Sequence, residues 1–169
     1  DVGKRAAIIG GGATGLETAL FLAAKGTISA ETLHFLFRYE AESPDRLREL
    51  IYKGVHEITV FETQSTVGKG LGKSTKWVVM DNIARYGIKI ITDARILKID
   101  HGEIRYEKDG QQSLPFDSVI IATGSKPVRR VADLLKQTGI PFSVIGDSVN
   151  PAGIREAIHQ AYLTIMENL

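Results

Sequence analysis

The chain has 169 residues, no cysteine and 17 glycines, and its 21 Lys and Arg against 20 Asp and Glu give a formal net charge of +1. This balance excludes the large positive field with which proteins hold nucleic acid or an anionic membrane, and the missing cysteine excludes disulfides, thiolate metal or iron–sulfur ligands and a cysteine nucleophile. No apolar run approaches the roughly 20 residues of a membrane-spanning helix. We expect a soluble, cytoplasmic protein, and because a strand begins almost at once after Asp1, we expect a piece of a larger one.

The first 62 residues carry a strand–helix–strand pattern. RAAII at 5–9 is typical of a short buried strand, and apolar residues then recur at helical spacing from Leu16 to Ala23. Gly26 is placed to end that helix as a left-handed cap. HEITVFE at 56–62 is rich in β-branched residues and is the next parallel partner. Together these segments predict a βαβ unit.

Residues 27–55 are longer than a simple crossover needs, and they carry two helical signals of their own. One lies at roughly 30–40, and a clearer one begins at Ser43 and Pro44 and ends at Gly54. We interpret the segment as a helical insertion packed on the sheet. Extra cover for the core is the simplest role, and a lid or docking role is the alternative.

The middle of the chain predicts a loop, a helix, a strand and then an antiparallel meander. A glycine-rich loop at 63–73 precedes a helix over 74–86 and a strand at 88–92. Three alternating segments follow, separated by the hairpin signals at 100–102 and 109–110. We expect these three segments to form a three-stranded antiparallel sheet.

Two later runs return to the continuous apolar character of central parallel strands. They are SVIIATG at 118–124 and PFSVIGD at 141–147, and a final helix follows. The predicted fold class is α/β: a Rossmann-like domain that binds FAD or NAD(P), with a central parallel sheet, the antiparallel meander and the insertion after the first helix.

Gly10, Gly12 and Gly15 form the pattern G-x-G-x-x-G between the first strand and the first helix. In this motif Gly10 makes the tight turn, Gly12 lets a pyrophosphate approach the backbone, and Gly15 lets helix and strand pack closely. The helix that begins at Ala13 and Thr14 aims free N–H groups and its positive end at the phosphates. The motif therefore predicts an adenine dinucleotide site.

Glu62 ends the second strand, where an acidic side chain accepts hydrogen bonds from both ribose hydroxyls and repels a 2′-phosphate. This favours NAD or FAD over NADP. Glu62 follows Gly15 at more than twice the usual interval of about 20 residues, and the insertion accounts for the excess. The alternative is that Glu62 is merely a solvated strand end.

A second nucleotide pattern, at Gly72-Lys73-Ser74, copies the end of a triphosphate-binding loop. That motif requires a glycine where Val67 stands, so we reject this interpretation. Lys69 and Lys73 could still touch a cofactor or simply be solvated. The four histidines show no metal-ligand spacing and no G-x-S-x-G motif is present, so we predict no metal site and no hydrolase chemistry.

Taken with the glycine turn, the segments ATG at 122–124, Lys126-Pro127 and IGD at 145–147 resemble those of the two-dinucleotide-binding flavoproteins. More narrowly, GKGLGKSTKW at 68–77 and the tail resemble the C-terminal half of the large flavoenzymes related to old yellow enzyme. These include 2-enoate reductase, 2,4-dienoyl-CoA reductase and trimethylamine dehydrogenase. The helical insertion especially resembles that of the 2-enoate reductases.

The resemblance implies a domain organisation. In such enzymes a barrel with FMN and an iron–sulfur cluster precedes an FAD domain, into which an NAD(P)H domain is inserted. Residues 1–169 would then be a single dinucleotide-binding domain, with an NAD(H)-binding part at 1–140 and the returning strand and helix of an FAD domain at 141–169. FMN and the cluster are expected only in missing upstream domains, and the partners are the dinucleotide and those missing segments, with no nucleic acid or membrane.

The resemblance also implies a function: the pyridine-nucleotide domain of an NADH-dependent flavin oxidoreductase of the enoate or dienoyl reductase type, which positions NADH for hydride transfer to FAD and is not active alone. The alternative is a non-catalytic module that binds ADP or FAD for structure or regulation. We predict no catalytic residue. The predicted cofactor-binding residues, of which Asp147 would meet FAD, are Gly10, Gly12, Ala13, Thr14, Gly15, Glu62, Thr63, Lys69, Thr123, Gly124, Gly146 and Asp147.

Overall fold

Two sheets organise the first of two compact units in the computed structural model, which describes residues 1–167; this unit comprises residues 1–123. In chain order its elements are β1 Arg5–Ile9, α1 Ala13–Ala23, α2 Ala30–Arg38, α3 Pro44–Tyr52, β2 Glu57–Phe61, α4 Lys73–Arg85, β3 Lys89–Ile91, β4 Arg95–Asp100, β5 Glu103–Glu107, β6 Gln111–Pro115 and β7 Ser118–Ile121. A four-stranded parallel sheet has the order β3-β2-β1-β7, and an antiparallel sheet the order β4-β5-β6. The predicted α/β class with a parallel sheet and a separate meander is confirmed.

The parallel sheet is covered on both faces, because side chains alternate along each strand. On one face Ile8 and Val60 are fully buried in a cluster with Leu16 of α1 and Ile83 of α4. On the other face Ala7 and Phe61 pack against the meander. The Phe61 ring meets the Tyr106 ring edge to face, with centroids 5.0 Å apart. Burial on both sides explains why β1 and β2 are almost continuously apolar.

Both hairpin turns of the meander place two consecutive residues at positive φ. His101 and Gly102 have φ values of 27° and 82°, and Asp109 and Gly110 have values of 52° and 112°. The first connection has two residues and the second has three, residues 108–110, and hairpin connections of both lengths use residues at positive φ, which Gly suits because it has no Cβ. The hairpins predicted at 100–102 and 109–110 are confirmed.

The insertion forms two helices that pack against each other, α2 and α3. Each begins at a serine that caps it: Ser29 accepts from the Thr32 N–H and Ser43 from the Arg46 N–H. The expectation that the insertion covers the core is wrong for α2, which buries none of its residues. Phe35 and Phe37 are 57% and 68% exposed, and Leu33 and Leu36 are half-buried, so α2 contributes little to this core.

The ends of the insertion lie side by side. The Val55 N–H donates to the Lys25 carbonyl at 2.9 Å, and the Ile28 N–H donates to the Leu50 carbonyl at 3.1 Å. Gly54 is required here, since a Cβ on it would overlap the Ala23 carbonyl oxygen. The chain therefore leaves the βαβ unit and returns to it at one point.

The second unit begins at Gly124 and contains α5 Arg130–Leu135, a 3₁₀ turn at Gly146–Ser148 and α6 Ile154–Glu167. The final helix is confirmed, but the strand predicted at 141–147 is not formed. None of the described residues after Thr123 forms a strand, so this segment has no backbone partner. Ile145 accordingly remains 40% exposed. The predicted domain and its tail include residues 168–169, which lie outside the described residues.

An ion pair with hydrogen bonds joins the beginnings of β1 and β7. The Arg5 backbone N–H donates to Asp117 Oδ2 at 2.7 Å, and its guanidinium Nη2 donates to Asp117 Oδ1 at 2.6 Å. The hydrogen bonds from the Arg5 side chain, then from its backbone, lower the pKa of Asp117 from 3.8 to about 2. A carboxyl whose pKa is lower in the folded state stabilises the fold above its unfolded pKa, and this stabilisation is lost as the pH falls through the folded value.

We therefore expect Asp117→Asn to lower the melting temperature at pH 7, and this difference from the unmodified chain to shrink between about pH 4 and pH 2. Thermal melts followed by circular dichroism across this range measure the effect. Asp133→Asn is the matched control, because it removes an exposed ion pair between α5 and Lys136, the residue that follows it. A difference for Asp117→Asn that is as large at pH 2 as at pH 7 would contradict the assignment.

Candidate dinucleotide-binding site

Three separate parts of the sequence meet at the carboxyl ends of the parallel strands. The glycine turn follows β1, Glu62 follows β2, and Thr123 follows β7. The chain passes from β1 to β2 and β3 on one side and later places β7 on the other side, so the strand order reverses beside β1. Ligands of open α/β sheets bind in the crevice at such a reversal. The fold thus brings these predicted site residues to one edge of the sheet.

Gly10 and Gly15 are required by the packing of the protein itself. Gly10 has a φ of 112°, and a Cβ on it would overlap the carbonyl oxygen of Ala122 next to β7. A Cβ on Gly15 would overlap the carbonyl oxygen of Gly10. These two glycines let the turn lie against the neighbouring strand and let α1 begin directly above it.

Gly12 differs, because nothing in the packing requires a glycine there. Its φ and ψ of −73° and −176° suit any residue, and a Cβ on it would only touch the Lys69 carbonyl oxygen at 3.5 Å. The N–H groups of Gly12, Thr14 and Gly15 donate to no acceptor among residues 1–167. An open backbone with three free donors at the positive end of a helix fits a pyrophosphate.

Glu62 is held against this turn by its carboxylate. Its Oε2 accepts from the Gly11 N–H at 2.8 Å, and its Oε1 accepts from the Gln64 N–H at 2.9 Å and the Thr63 hydroxyl at 3.1 Å. Partial burial is the largest single influence and raises the pKa, but the donors of Gln64, Gly11 and Thr63 together lower the pKa below 4.5. Glu62 is therefore ionised at neutral pH and fixed beside the turn, unlike a freely solvated strand end.

The glycine-rich loop after β2 also contacts the turn, through its backbone. The Gly68 N–H donates to the Gly11 carbonyl at 2.7 Å, and the Lys69 carbonyl accepts from the Ala13 N–H at 2.9 Å. The donor of Ala13 is therefore already used within the protein. The sequence indicated the Lys69 side chain but not these backbone bonds, and only the density of glycines in the loop signalled a close approach.

The remaining predicted site residues lie in the second unit. Gly124 and Gly146 have φ values of 99° and 63°, conformations that favour glycine. The Gly146 N–H donates to Gln160 Oε1 at 2.8 Å, and Asp147 Oδ1 accepts from the Ala152 N–H at 3.2 Å. Their role toward FAD stays a prediction.

The described part of the chain holds no group of three or more His, Asp or Glu side chains able to bind a metal ion. None of its helices combines the length and the apolar character needed to cross a membrane.

Comparison with known proteins decides the family. The family model described as pyridine nucleotide-disulphide oxidoreductase matches residues 1–153. The chain belongs to the pyridine nucleotide-disulphide oxidoreductase family. Its members are oxidoreductases of Rossmann-like fold whose cofactors are FAD and NAD(P)H. The predicted resemblance to dinucleotide-binding flavoproteins is thereby confirmed.

Individual known proteins are similar to this chain along nearly its whole length. A metal reductase of Desulforamulus reducens is 37% identical over 161 residues, which are 95% of this chain and 24% of that protein. An NADH oxidase of Thermoanaerobacter brockii is 24% identical over 165 residues, 96% of this chain and 21% of that protein. This chain thus spans about a quarter of the length of these relatives or less.

Solved structures share the fold over the same length. A 2-naphthoyl-CoA reductase complex superposes with a TM-score of 0.67 at 19% identity, covering 96% of this chain and 21% of the other. Histamine dehydrogenase from Rhizobium sp. 4-9 gives a TM-score of 0.69 at 14% identity, covering 96% and 23%. Both are fold relatives in which this chain corresponds to one part of a longer protein.

Proposed function

We propose that this chain is the pyridine-nucleotide domain of an NADH-dependent flavin oxidoreductase and that it positions NADH for hydride transfer to FAD. Family membership supports the oxidoreductase class. The observation that carries the choice of NADH is the ionised carboxylate of Glu62, fixed 2.8 Å from the Gly11 N–H beside the open backbone of Gly12. The nicotinamide supplies the hydride, and this chain supplies position and charge.

Different residues of the site bind the pyrophosphate and the ribose of the nucleotide. The free N–H groups of Gly12, Thr14 and Gly15 and the positive end of α1 hold the pyrophosphate. A carboxylate has about four acceptor positions, and protein donors occupy three of those of Glu62, so Oε2 keeps capacity for a ribose hydroxyl. A 2′-phosphate placed there would face a negative charge. The site therefore prefers NADH to NADPH.

The intact protein is proposed to be larger than this chain, with FAD, FMN and an iron–sulfur cluster held mainly by segments outside it. In this proposal residues 1–140 serve NADH, and residues 141–169, with Gly146 and Asp147, serve FAD. The resemblance favours an unsaturated enoate or dienoyl compound as the final acceptor. The relatives named metal reductase and NADH oxidase are similar to this chain along nearly its whole length, which supports an acceptor determined elsewhere in the protein.

Calorimetric titration of the chain with NADH and with NADPH tests the cofactor assignment. We expect NADH to bind at least about tenfold more tightly, because one charge repulsion of about 1.4 kcal/mol suffices for that ratio. Equal or tighter binding of NADPH would contradict the role of Glu62.

A kinetic experiment on the full-length protein separates the oxidoreductase from the non-catalytic module. Mixing it with NADH under anaerobic conditions is expected to bleach the oxidised flavin absorbance, with a slower rate when the transferred hydrogen of NADH is deuterium. A full-length protein that binds ADP as tightly as NADH and bleaches no flavin would support the binding module instead.

A further inference from the structure

A cavity lies at the edge of the parallel sheet opposite the dinucleotide site, at the amino ends of the strands. Its volume is about 560 Å³, within the range of small-molecule sites. It is lined by the beginnings of β1, β2 and β3 and by the end of β6, all within the first unit. Glu57 begins β2 at this edge and Glu62 follows β2 at the other, so the length of one strand separates the cavity from the dinucleotide site.

Thr59 in the middle of β2 opens into this cavity. Thr59 as a residue is only 8% exposed, and it is the one polar residue among the buried residues of the described chain. Alternation along β2 places Thr59 on the same face as Phe61, toward the meander, next to Ala7 of β1 and Lys89 of β3. Ala7 and Thr59 both line the cavity, so a small apolar residue and a hydroxyl lie side by side in its wall.

The Thr59 hydroxyl has no hydrogen-bond partner in residues 1–167. No fully enclosed side-chain oxygen in that range lacks a partner, so this hydroxyl faces the cavity and is not sealed in the core. Buried hydroxyls are nearly always paired, because an unpaired one loses its bonds to water without replacement. A polar group in the cavity would supply the missing bond.

The charges around the cavity are mainly positive. Four basic side chains line it against the single carboxylate of Glu57. Lys4 pairs with Glu57 at 3.0 Å, and Arg5 is committed to Asp117. Lys53 and Lys89 form no ion pair in the described part of the chain. Two uncommitted ammonium groups in a chain of net charge +1 make this edge a local site for an anion.

We propose that the cavity binds a small organic anion. A carboxylate or phosphate head lies between the Lys89 ammonium and the Thr59 hydroxyl, and an apolar body packs against Leu114 and Phe116, which also line the cavity. The hydroxyl donates to the anion, and Lys89 balances its charge. Binding here leaves the glycine turn and Glu62 untouched, so it is independent of NADH.

Titrations of the isotope-labelled chain, followed by amide chemical shifts, test the proposal with probes that share one ring. Benzoate and phenyl phosphate carry the anionic head, and benzylamine carries the opposite charge. We expect saturable shifts at Thr59, Lys89 and Phe116 with the anions, at a Kd of about 1 mM for a ligand of so few atoms, and none with benzylamine. The tighter of the two anions identifies a carboxylate or a phosphate ligand. No saturable shift with either anion, or equal shifts with benzylamine, would overturn the proposal.

Two variants assign the contacts, with Lys126→Gln as the matched control because Lys126 is an exposed lysine outside the cavity. Lys89→Gln is expected to weaken anion binding roughly tenfold and Thr59→Val roughly threefold. Thr59→Val keeps the shape of the side chain and removes an unpaired hydroxyl, so its melting temperature should equal or exceed that of the unmodified chain. NADH affinity should not change. Anion affinities unchanged in both variants would refute the assigned contacts.

Discussion

Gly12→Ala is expected to weaken NADH binding by about 30-fold or more while the chain folds normally. The backbone at Gly12 has φ and ψ values open to alanine, and the new methyl group would touch only the Lys69 carbonyl oxygen, at 3.5 Å. It would, however, stand where the pyrophosphate approaches, and losing one or two charge-assisted hydrogen bonds costs about 2 to 4 kcal/mol. Calorimetry measures the affinity, and urea unfolding measures the stability, which should stay within about 0.5 kcal/mol.

Gly15→Ala makes the same chemical change three residues later and serves as the matched comparison. Its Cβ would overlap the carbonyl oxygen of Gly10, which is backbone and can only move with the turn or with α1. We expect it to destabilise the fold by about 3 kcal/mol, at the upper end of overpacking effects. If Gly12→Ala instead binds NADH as tightly as the unmodified chain, Gly12 does not face the ligand. If it unfolds like Gly15→Ala, the space at Gly12 is filled by the protein and is not open to the ligand.

Glu62→Gln is expected to reduce the preference for NADH over NADPH by about 30-fold. The amide accepts a ribose hydroxyl less strongly than the carboxylate does, which costs about 1 kcal/mol with NADH, and it no longer repels the 2′-phosphate, which helps NADPH by a similar amount. Because the pKa of Glu62 is lowered below 4.5, its carboxylate stays ionised from pH 8 to about pH 5, and the preference of the unmodified chain should change in that range only as the 2′-phosphate of NADPH takes up a proton at about pH 6. Parallel titrations with the two nucleotides measure the ratio.

Glu57→Gln is the control for this experiment, since it removes the same charge from the other end of the same strand. It should leave the nucleotide preference unchanged. A ratio altered equally by both substitutions would indicate a long-range effect of net charge, and a ratio retained in Glu62→Gln would show that the carboxylate does not select the nucleotide.

Local patterns were enough to predict most of the fold. The apolar run at 5–9, the β-branched run at 56–62 and the paired turn residues at 100–102 and 109–110 each depend on neighbours in sequence, and each forms as predicted. The strand predicted at 141–147 is not formed. A strand needs a second strand to accept and donate its backbone hydrogen bonds, and the described residues of its unit contain none. The apolar residues of this segment indicated burial, but they did not indicate which strand would pair with it.

The candidate site was predictable where side-chain type carries the chemistry, and less so where the backbone does. Gly10, Gly12 and Glu62 stand out in the sequence because the glycine motif and a carboxylate at the end of the next strand are recognisable from residue type alone. The bond from the Ala13 N–H to the Lys69 carbonyl uses groups that every residue has, so no letter of the sequence marks it. Thr59 is equally hard to recognise in the sequence, because threonine is common in strands and only the lack of a hydrogen-bond partner for its hydroxyl distinguishes it.

The two ends of the insertion lie side by side, and this affects how dinucleotide-binding sites are recognised in other sequences. Because the bond from the Val55 N–H to the Lys25 carbonyl brings the chain back to where it left, the number of residues between them does not determine the distance from Glu62 to Gly11. The interval between the glycine turn and its acidic partner is thus a property of the connection and not of the nucleotide pocket. A search that fixes that interval would pass over this chain, whereas one that asks for a carboxylate at the end of the next parallel strand would find it.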